Sequence, residues 1–266
     1  MKPEHDAGAA PVFLFTDFGL PAPYVGQMKA AIHRAAPAVQ VVDLCHDLTP
    51  FQPRPAAYLL AALVPYLPVG ASVVAVVDPG VGTERRGLVL KGSGIQLIGP
   101  DNGLLAITGH RLGDATWAVL PDPASDACAT FHGRDWFAPA AAQLHTGQPQ
   151  MLHDLGDIAP VGAPWPEDWA AVIYVDRYGN AMTGLRADRG MRQDQTLKIG
   201  GQTVRPARTF ADVPVGEAFW YANSIGLIEI AINQGNAAHQ LGLEVGRPLF
   251  GDDPLPDPGQ AISSVV

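Results

Sequence analysis

Charged and polar side chains gather at a few points of this chain where short apolar runs stop. Thr16-Asp17-Phe18-Gly19 follows the run Val12-Phe13-Leu14-Phe15, and Asp78-Pro79-Gly80-Val81-Gly82 follows the largely apolar residues 72–77 and leads into Arg85-Arg86. Gly99-Pro100-Asp101-Asn102-Gly103 makes a third such turn, rich in possible backbone donors, and Phe131-His132-Gly133-Arg134-Asp135 precedes an apolar segment of helical character. Positions of this kind, at the ends of strands, are where open α/β sheets bind ligands. Asp17 could accept two hydrogen bonds from the vicinal hydroxyls of a ribose, with Gly19 letting the backbone turn away, or it could serve as a turn or capping residue. Asp78 sets a carboxylate at a strand end and Arg85 a guanidinium just past a flexible turn. Taken singly, the two also suit a structural ion pair, and His132 a satisfied loop histidine.

The common nucleotide and hydrolase signatures are missing. Gly80-Val81-Gly82 lacks the third glycine of a dinucleotide fingerprint, and the chain has no Gly-Lys-Ser/Thr phosphate loop, G-x-S-x-G elbow or H-E-x-x-H motif. A metal-dependent hydrolase built from His132, Asp135, His145 and Asp154 fits no standard ligand spacing.

The four clusters, in this order, together with Asp176-Arg177-Tyr178-Gly179-Asn180 and Asn223-Ser224-Ile225-Gly226, resemble the S-adenosylmethionine (SAM) hydroxide adenosyltransferases, relatives of the fluorinases. The likeness covers residues 12–250. It implies hydrolysis of SAM to adenosine and methionine, with Asp78, Arg85 and His132 as the water-activating trio. By the same resemblance Asp17 grips the ribose, Asp176 and Ser224 hold the methionine amino and carboxylate groups, Asn180 reads the adenine edge and Phe51 lies beside the substrate. It further implies an α/β first domain, a β-barrel second domain, and active sites between neighbouring subunits of a homotrimer. No metal or organic cofactor is expected, SAM being the substrate.

Two departures separate the chain from halide-using relatives. Asp78 and His132 are both present, Gly133 stands where a fluorinase offers a halide-binding serine, and the stretch from Leu105 to Phe131 leaves little space for the fluorinase insertion. Ile225 follows Ser224 where fluorinases carry arginine, so carboxylate recognition is expected to be weaker or differently arranged. A halide-using enzyme and a non-catalytic SAM or adenosine binding module are the alternatives on the same scaffold. Because a sulfonium leaves readily, the expected chemistry needs a positioned nucleophile in line with the C5′–S bond. Asp78 beside Arg85 is expected to be a weak base, which favours His132 as proton acceptor, and a hydroxide shared by all three residues is equally compatible.

These residues require a scaffold of strands whose ends converge. Strands are expected over residues 12–15, 39–44, 72–77, 87–90 and 95–98, and helices over 24–36, 54–63 and 136–144. The alternation predicts an α/β, Rossmann-like domain with a mostly parallel sheet over residues 1–165. Prolines and glycines crowd residues 160–169, and beyond them short strand-like runs at 171–175, 196–199, 218–221 and 227–232 predict a β-rich, barrel-like domain over 166–266.

Composition narrows the partners. With 266 residues, 47% of them apolar, the chain can bury a sizeable core, and no apolar run approaches the ~20 residues of a membrane span. A formal charge of −9 argues against nucleic acid, and the mixed-charge start lacks the layout of a secretory signal. A cytoplasmic enzyme is expected, with Cys45 and Cys128 as two buried free thiols.

Overall fold

The computed structural model describes residues 10–148, 151–189 and 195–250. The chain divides into two units, Met1–Glu167 and Asp168–Val266.

The first unit is built on a seven-stranded sheet of order β2-β1-β3-β5-β4-β6-β7. Its elements are β1 (Val12–Thr16), α1 (Tyr24–Ala35), β2 (Val41–Cys45), α2 (Pro53–Leu63), β3 (Ser72–Val76), β4 (Gly87–Gly92), β5 (Ile95–Pro100), α3 (Ala106–Arg111), β6 (Thr116–Val119), α4 (Ala138–His145) and β7 (His153–Asp154). β2, β1, β3 and β5 run parallel, whereas β4, β6 and β7 add an antiparallel half, so the sheet is mixed where a mostly parallel one was expected. β1 and β3 are buried at every residue, which is why their sequences are continuous apolar runs without alternation. Val12, Leu14, Val74 and Val76 pack against Val25, Met28 and Ile32 of α1 and Ala138, Ala141 and Ala142 of α4. α1 stops as its sequence predicts, because Ala36 precedes Pro37 and is pushed out of the helical region, to φ −144°.

The helix expected over residues 136–144 begins differently. A π-helical turn, Gly133–Phe137, precedes α4. Pro139, near the start of α4, has no amide proton to give to the carbonyl four residues back, so a regular α-helical ladder cannot run through this junction. α3, β6 and β7 carry too few periodic residues to be visible in the sequence. Cys45 is half-buried, its thiol pushed up to about 12 by burial, while Cys128 is exposed, which corrects the expectation of two buried thiols.

The second unit contains β8 (Trp169–Val175), β9 (Ala181–Arg186), β10 (Leu197–Ile199), β11 (Gln202–Pro206), β12 (Ala218–Ala222), β13 (Leu227–Ile232) and α5 (Ala237–Leu241). The strands form one curled half-barrel of order β10-β11-β12-β13-β9-β8, antiparallel except for the short β11–β12 pairing. The barrel-like expectation thus takes an open form, since β10 and β8 remain edges among the described residues. Val172, Ala181, Val204, Trp220, Ile228 and Ile230 are among its buried core. β9 escaped the sequence reading because Thr183 and Gly184 break its apolar pattern, although it sits between β13 and β8. No helix among the described residues is long and apolar enough to cross a membrane.

Candidate active site

The topology of the first sheet creates a crevice at the ends of two strands. From β1 the chain moves to β2 on one side and then returns to β3 on the other, so the order reverses between β1 and β3. Connections leaving such a switch point diverge, and ligands bind in the opening. Thr16 is in register with Val76, so Asp17 and Asp78 leave the sheet from neighbouring strand ends. β4 runs antiparallel to β5 with Gly87 opposite Pro100, which brings Arg85 and Arg86 to the same edge.

Asp78, Arg85 and His132 form one hydrogen-bonded group there. Arg85 Nε donates to Asp78 Oδ1 at 2.8 Å, Arg85 Nη2 donates to Asp78 Oδ2, and Arg85 Nη2 lies 3.0 Å from His132 Nδ1. The Arg85 and Asp78 side chains are only 9% and 5% exposed. The guanidinium stands over the rings of Trp136 (5.5 Å) and Phe137 (5.2 Å), and His132 meets Trp136 edge to face. One polar atom of this group is left over, since Arg85 Nη1 is buried with no hydrogen-bond partner among the described residues. A buried donor without an acceptor is costly and suits an incoming oxygen.

Electrostatics fix the histidine. Burial, and then the Arg85 charge, holds the His132 imidazole below its ordinary pKa, against the opposing pull of Asp78 and Asp135. A guanidinium N–H can only donate, so His132 Nδ1 accepts and the neutral ring carries its proton on Nε2. In this arrangement His132 offers the site a donor rather than a base.

Surrounding residues brace the group. Gly82, at φ +82°, lies so close to the following loop that a Cβ would stand 2.8 Å from the Ala129 carbonyl; only glycine lets the 78–82 turn approach the segment before His132. The turn over 99–103 acts through side chains. Asn102 Nδ2 donates to the Val77 carbonyl at 2.8 Å, and Asp101 accepts from Arg86 at 2.6 and 2.8 Å.

Asp17 sits beside this group. The Phe51 amide donates to Asp17 Oδ2 at 3.0 Å, and Phe51 itself, 73% exposed, adopts φ +64°, rare for a bulky residue. Burial pushes the Asp17 carboxyl above its ordinary value and the Asp78 charge adds to this, while the Phe51 amide pulls it down. His145 pairs with the Ser72 hydroxyl at 2.7 Å and Asp135 with Arg134 at 2.6 Å; among the described residues, no three His, Cys, Asp or Glu side chains are grouped so that they could hold a metal ion.

In the second unit, Asp176, Asn180 and Ser224 line one cavity of about 890 Å³ together with Phe210, Tyr221 and Glu229. Asp176 Oδ1 accepts from the amides of Tyr178 and Asn180, each at 2.9 Å, and Asp176 Oδ2 accepts from Asn180 Nδ2 at 3.0 Å. Gly179, at φ +87°, leaves room for the Asn236 side chain, which a Cβ would meet at 2.2 Å. Asn223 Oδ1 accepts from Ile225 and Leu227 amides, shaping the turn that displays Ser224, and Asn223 Nδ2 donates to Glu229 at 2.7 Å. Tyr221 Oη donates to Glu229 at 2.6 Å, and burial with the Glu229 charge pushes its phenol far up. The sequence reading did not single out Tyr221 or Glu229. Only the β12–β13 register, which sets Tyr221 opposite Glu229, reveals them.

Residues 12–156 match the SAM hydroxide adenosyltransferase N-terminal domain and residues 170–250 the corresponding C-terminal domain. A protein of Thermus thermophilus named (R)-S-adenosyl-L-methionine hydrolase is 43% identical, over 90% of this chain and 98% of its own. A protein of the same name from Salinispora arenicola is 38% identical, over 88% and 94%. The crystal structure of a conserved protein from Thermotoga maritima superposes with a TM-score of 0.79 at 30% identity, covering 88% of this chain and 97% of that one. With both family domains matched in order and relatives alike along nearly their whole length, this chain belongs to the SAM hydroxide adenosyltransferase family.

Proposed function

We propose that this chain hydrolyses SAM to adenosine and L-methionine, by in-line attack of a water held at Arg85. The observation that carries the reading is the buried, unpartnered Arg85 Nη1 within the Asp78–Arg85–His132 group, at the switch point of the sheet. A water oxygen accepting from Nη1 gains hydroxide character as its proton is withdrawn, and the fixed positive charge stabilises what develops. A C5′–O bond forms, the C5′–S bond breaks with its electron pair going to sulfur, and one water proton departs. The sequence left open whether His132 or Asp78 takes that proton. With His132 Nδ1 accepting from Arg85, the carboxylate of Asp78 is the acceptor and His132 Nε2–H a donor that helps hold the water. The thioether leaves as a neutral group, so the reaction draws on no acid for the leaving atom and no cofactor.

Recognition is proposed to follow the two clusters. Asp17 accepts from the ribose hydroxyls, Phe51 covers the substrate, Asp176 and Ser224 take the methionine amine and carboxylate, and Asn180 reads the adenine edge. We further propose a homotrimer in which the second unit of one chain completes the site of its neighbour. The setting is the cytoplasm, where free thiols such as Cys45 and Cys128 persist. A net charge of −9 suits a cationic substrate and disfavours nucleic acid.

The test is incubation with SAM in ¹⁸O-labelled water, with and without chloride or fluoride. Label at the 5′-oxygen of adenosine, independent of halide, is the expected result. A 5′-halo-adenosine product supports the halide-using alternative, bound but unconverted SAM supports a binding module, and unlabelled adenosine refutes water attack.

A further inference from the structure

His46 has no role in the chemistry above, yet it holds the chain on both sides of Asp17. Its side chain is buried, 1% exposed. The Thr16 hydroxyl lies 2.8 Å from His46 Nδ1, His46 Nε2 lies 3.0 Å from Asp43 Oδ1, and Asp43 Oδ2 accepts from the Lys29 ammonium at 2.7 Å. The Phe18 amide donates to the same Thr16 oxygen at 3.2 Å, and the Gly19 amide donates to the His46 carbonyl at 2.7 Å.

Donor and acceptor chemistry fixes the direction of this network. The Asp43 carboxylate, paired with Lys29, only accepts, so His46 Nε2 carries a proton. A ring protonated at Nε2 alone has a lone pair at Nδ1, and Thr16, whose oxygen already accepts from Phe18, then gives it the hydroxyl hydrogen. A second ring proton, at Nδ1, would leave that hydrogen without an acceptor at a fully buried residue. Thr16, Phe18 and Gly19 are thus each tied, directly or through one hydroxyl, to a single residue at the end of the neighbouring strand β2. Asp17 is the residue they enclose.

We infer that His46 is a positioning residue for Asp17, acting through the Thr16 hydroxyl by its ring and through Gly19 by its carbonyl. The ring aims the Thr16 oxygen at the Phe18 amide and so closes the turn that presents the Asp17 carboxylate beside Asp78. This rests on the reading of Asp17 as the ribose-binding group.

Two substitutions divide the ring's bonds between them. His46→Asn keeps an acceptor where Nδ1 stands and loses the reach to Asp43; His46→Gln keeps a donor for Asp43 and turns a methylene toward Thr16. Thr16→Val removes the hydroxyl at nearly constant shape and serves independently should His46→Gln fold poorly. The readout is kcat/KM for SAM against its 2′-deoxyribose counterpart, measured on the full chain. The native protein is expected to prefer the ribose substrate. His46→Asn should hold that preference within about threefold, while His46→Gln and Thr16→Val should each lower it about tenfold, mainly through a raised KM for SAM. Native preference that persists in both His46→Gln and Thr16→Val overturns the inference and leaves Asp17 in place. A native protein with no preference overturns the ribose reading of Asp17, and this inference falls with it.

Discussion

Asp78→Asn tests the centre of the site with almost no change of shape. In the native protein Asp78 Oδ1 accepts from Arg85 Nε and Oδ2 from Arg85 Nη2, with both side chains less than one-tenth exposed. The asparagine oxygen can still accept from Nε, but its NH₂ then faces the Nη2 N–H, donor against donor, and the guanidinium loses its counter-charge. Breaking a buried ion pair by removing one partner costs about 3–5 kcal/mol. For a unit of this size that corresponds to a fall in Tm of roughly 6–20 °C, which thermal melting at fixed protein concentration reads directly. Added salt should not make the native and variant curves converge, because a buried pair is screened little. Turnover of SAM in the same samples, below the variant's melting range, should fall about 10²–10⁴-fold with a smaller change in KM. A Tm within about 2 °C of native would mean that the pair is effectively solvated and the magnitude wrong. Near-native turnover in a folded variant would remove Asp78 from the chemistry.

The remaining predictions concern protonation and assembly. Because His132 is held neutral in the folded chain below its ordinary value of 6.5, the unfolded chain binds the proton first. Stability should therefore decline as pH falls from about 6.5 to the lower folded pKa and level off beneath it, with turnover lost at that lower value as a proton at Nδ1 repels Arg85; His132→Asn, which keeps an acceptor for Arg85, should abolish this acid limb in a pH series of Tm and kcat. Mixing Asp78→Ala and Asp176→Ala chains should restore part of the activity in hybrid trimers, and verified hybrids without recovery would mean that each site is contained in one chain.

How much of this was legible in the sequence follows from the range of the interactions involved. Val12–Thr16 and Ser72–Val76 are buried on both faces and were readable as apolar runs; Pro37 marked the end of α1 because its effect acts on the residue before it. Asp17, Asp78, Arg85 and His132 stood out because strand ends and turns concentrate polar groups locally, and six ordered motifs identified the family. Pairing was not local. No local pattern dictates that Gly87 lies opposite Pro100, which adds an antiparallel half to the sheet and delivers Arg85 to the carboxyl edge, or that Tyr221 lies opposite Glu229. The direction of each hydrogen bond was equally hidden, since an imidazole's tautomer depends on which partner the fold presents to each nitrogen. Sequence alone determined which residues this protein could use; the tertiary structure decided that Arg85 occupies His132 Nδ1 and leaves its own Nη1 free, because only packing brings residues 47 apart in the chain to 3.0 Å.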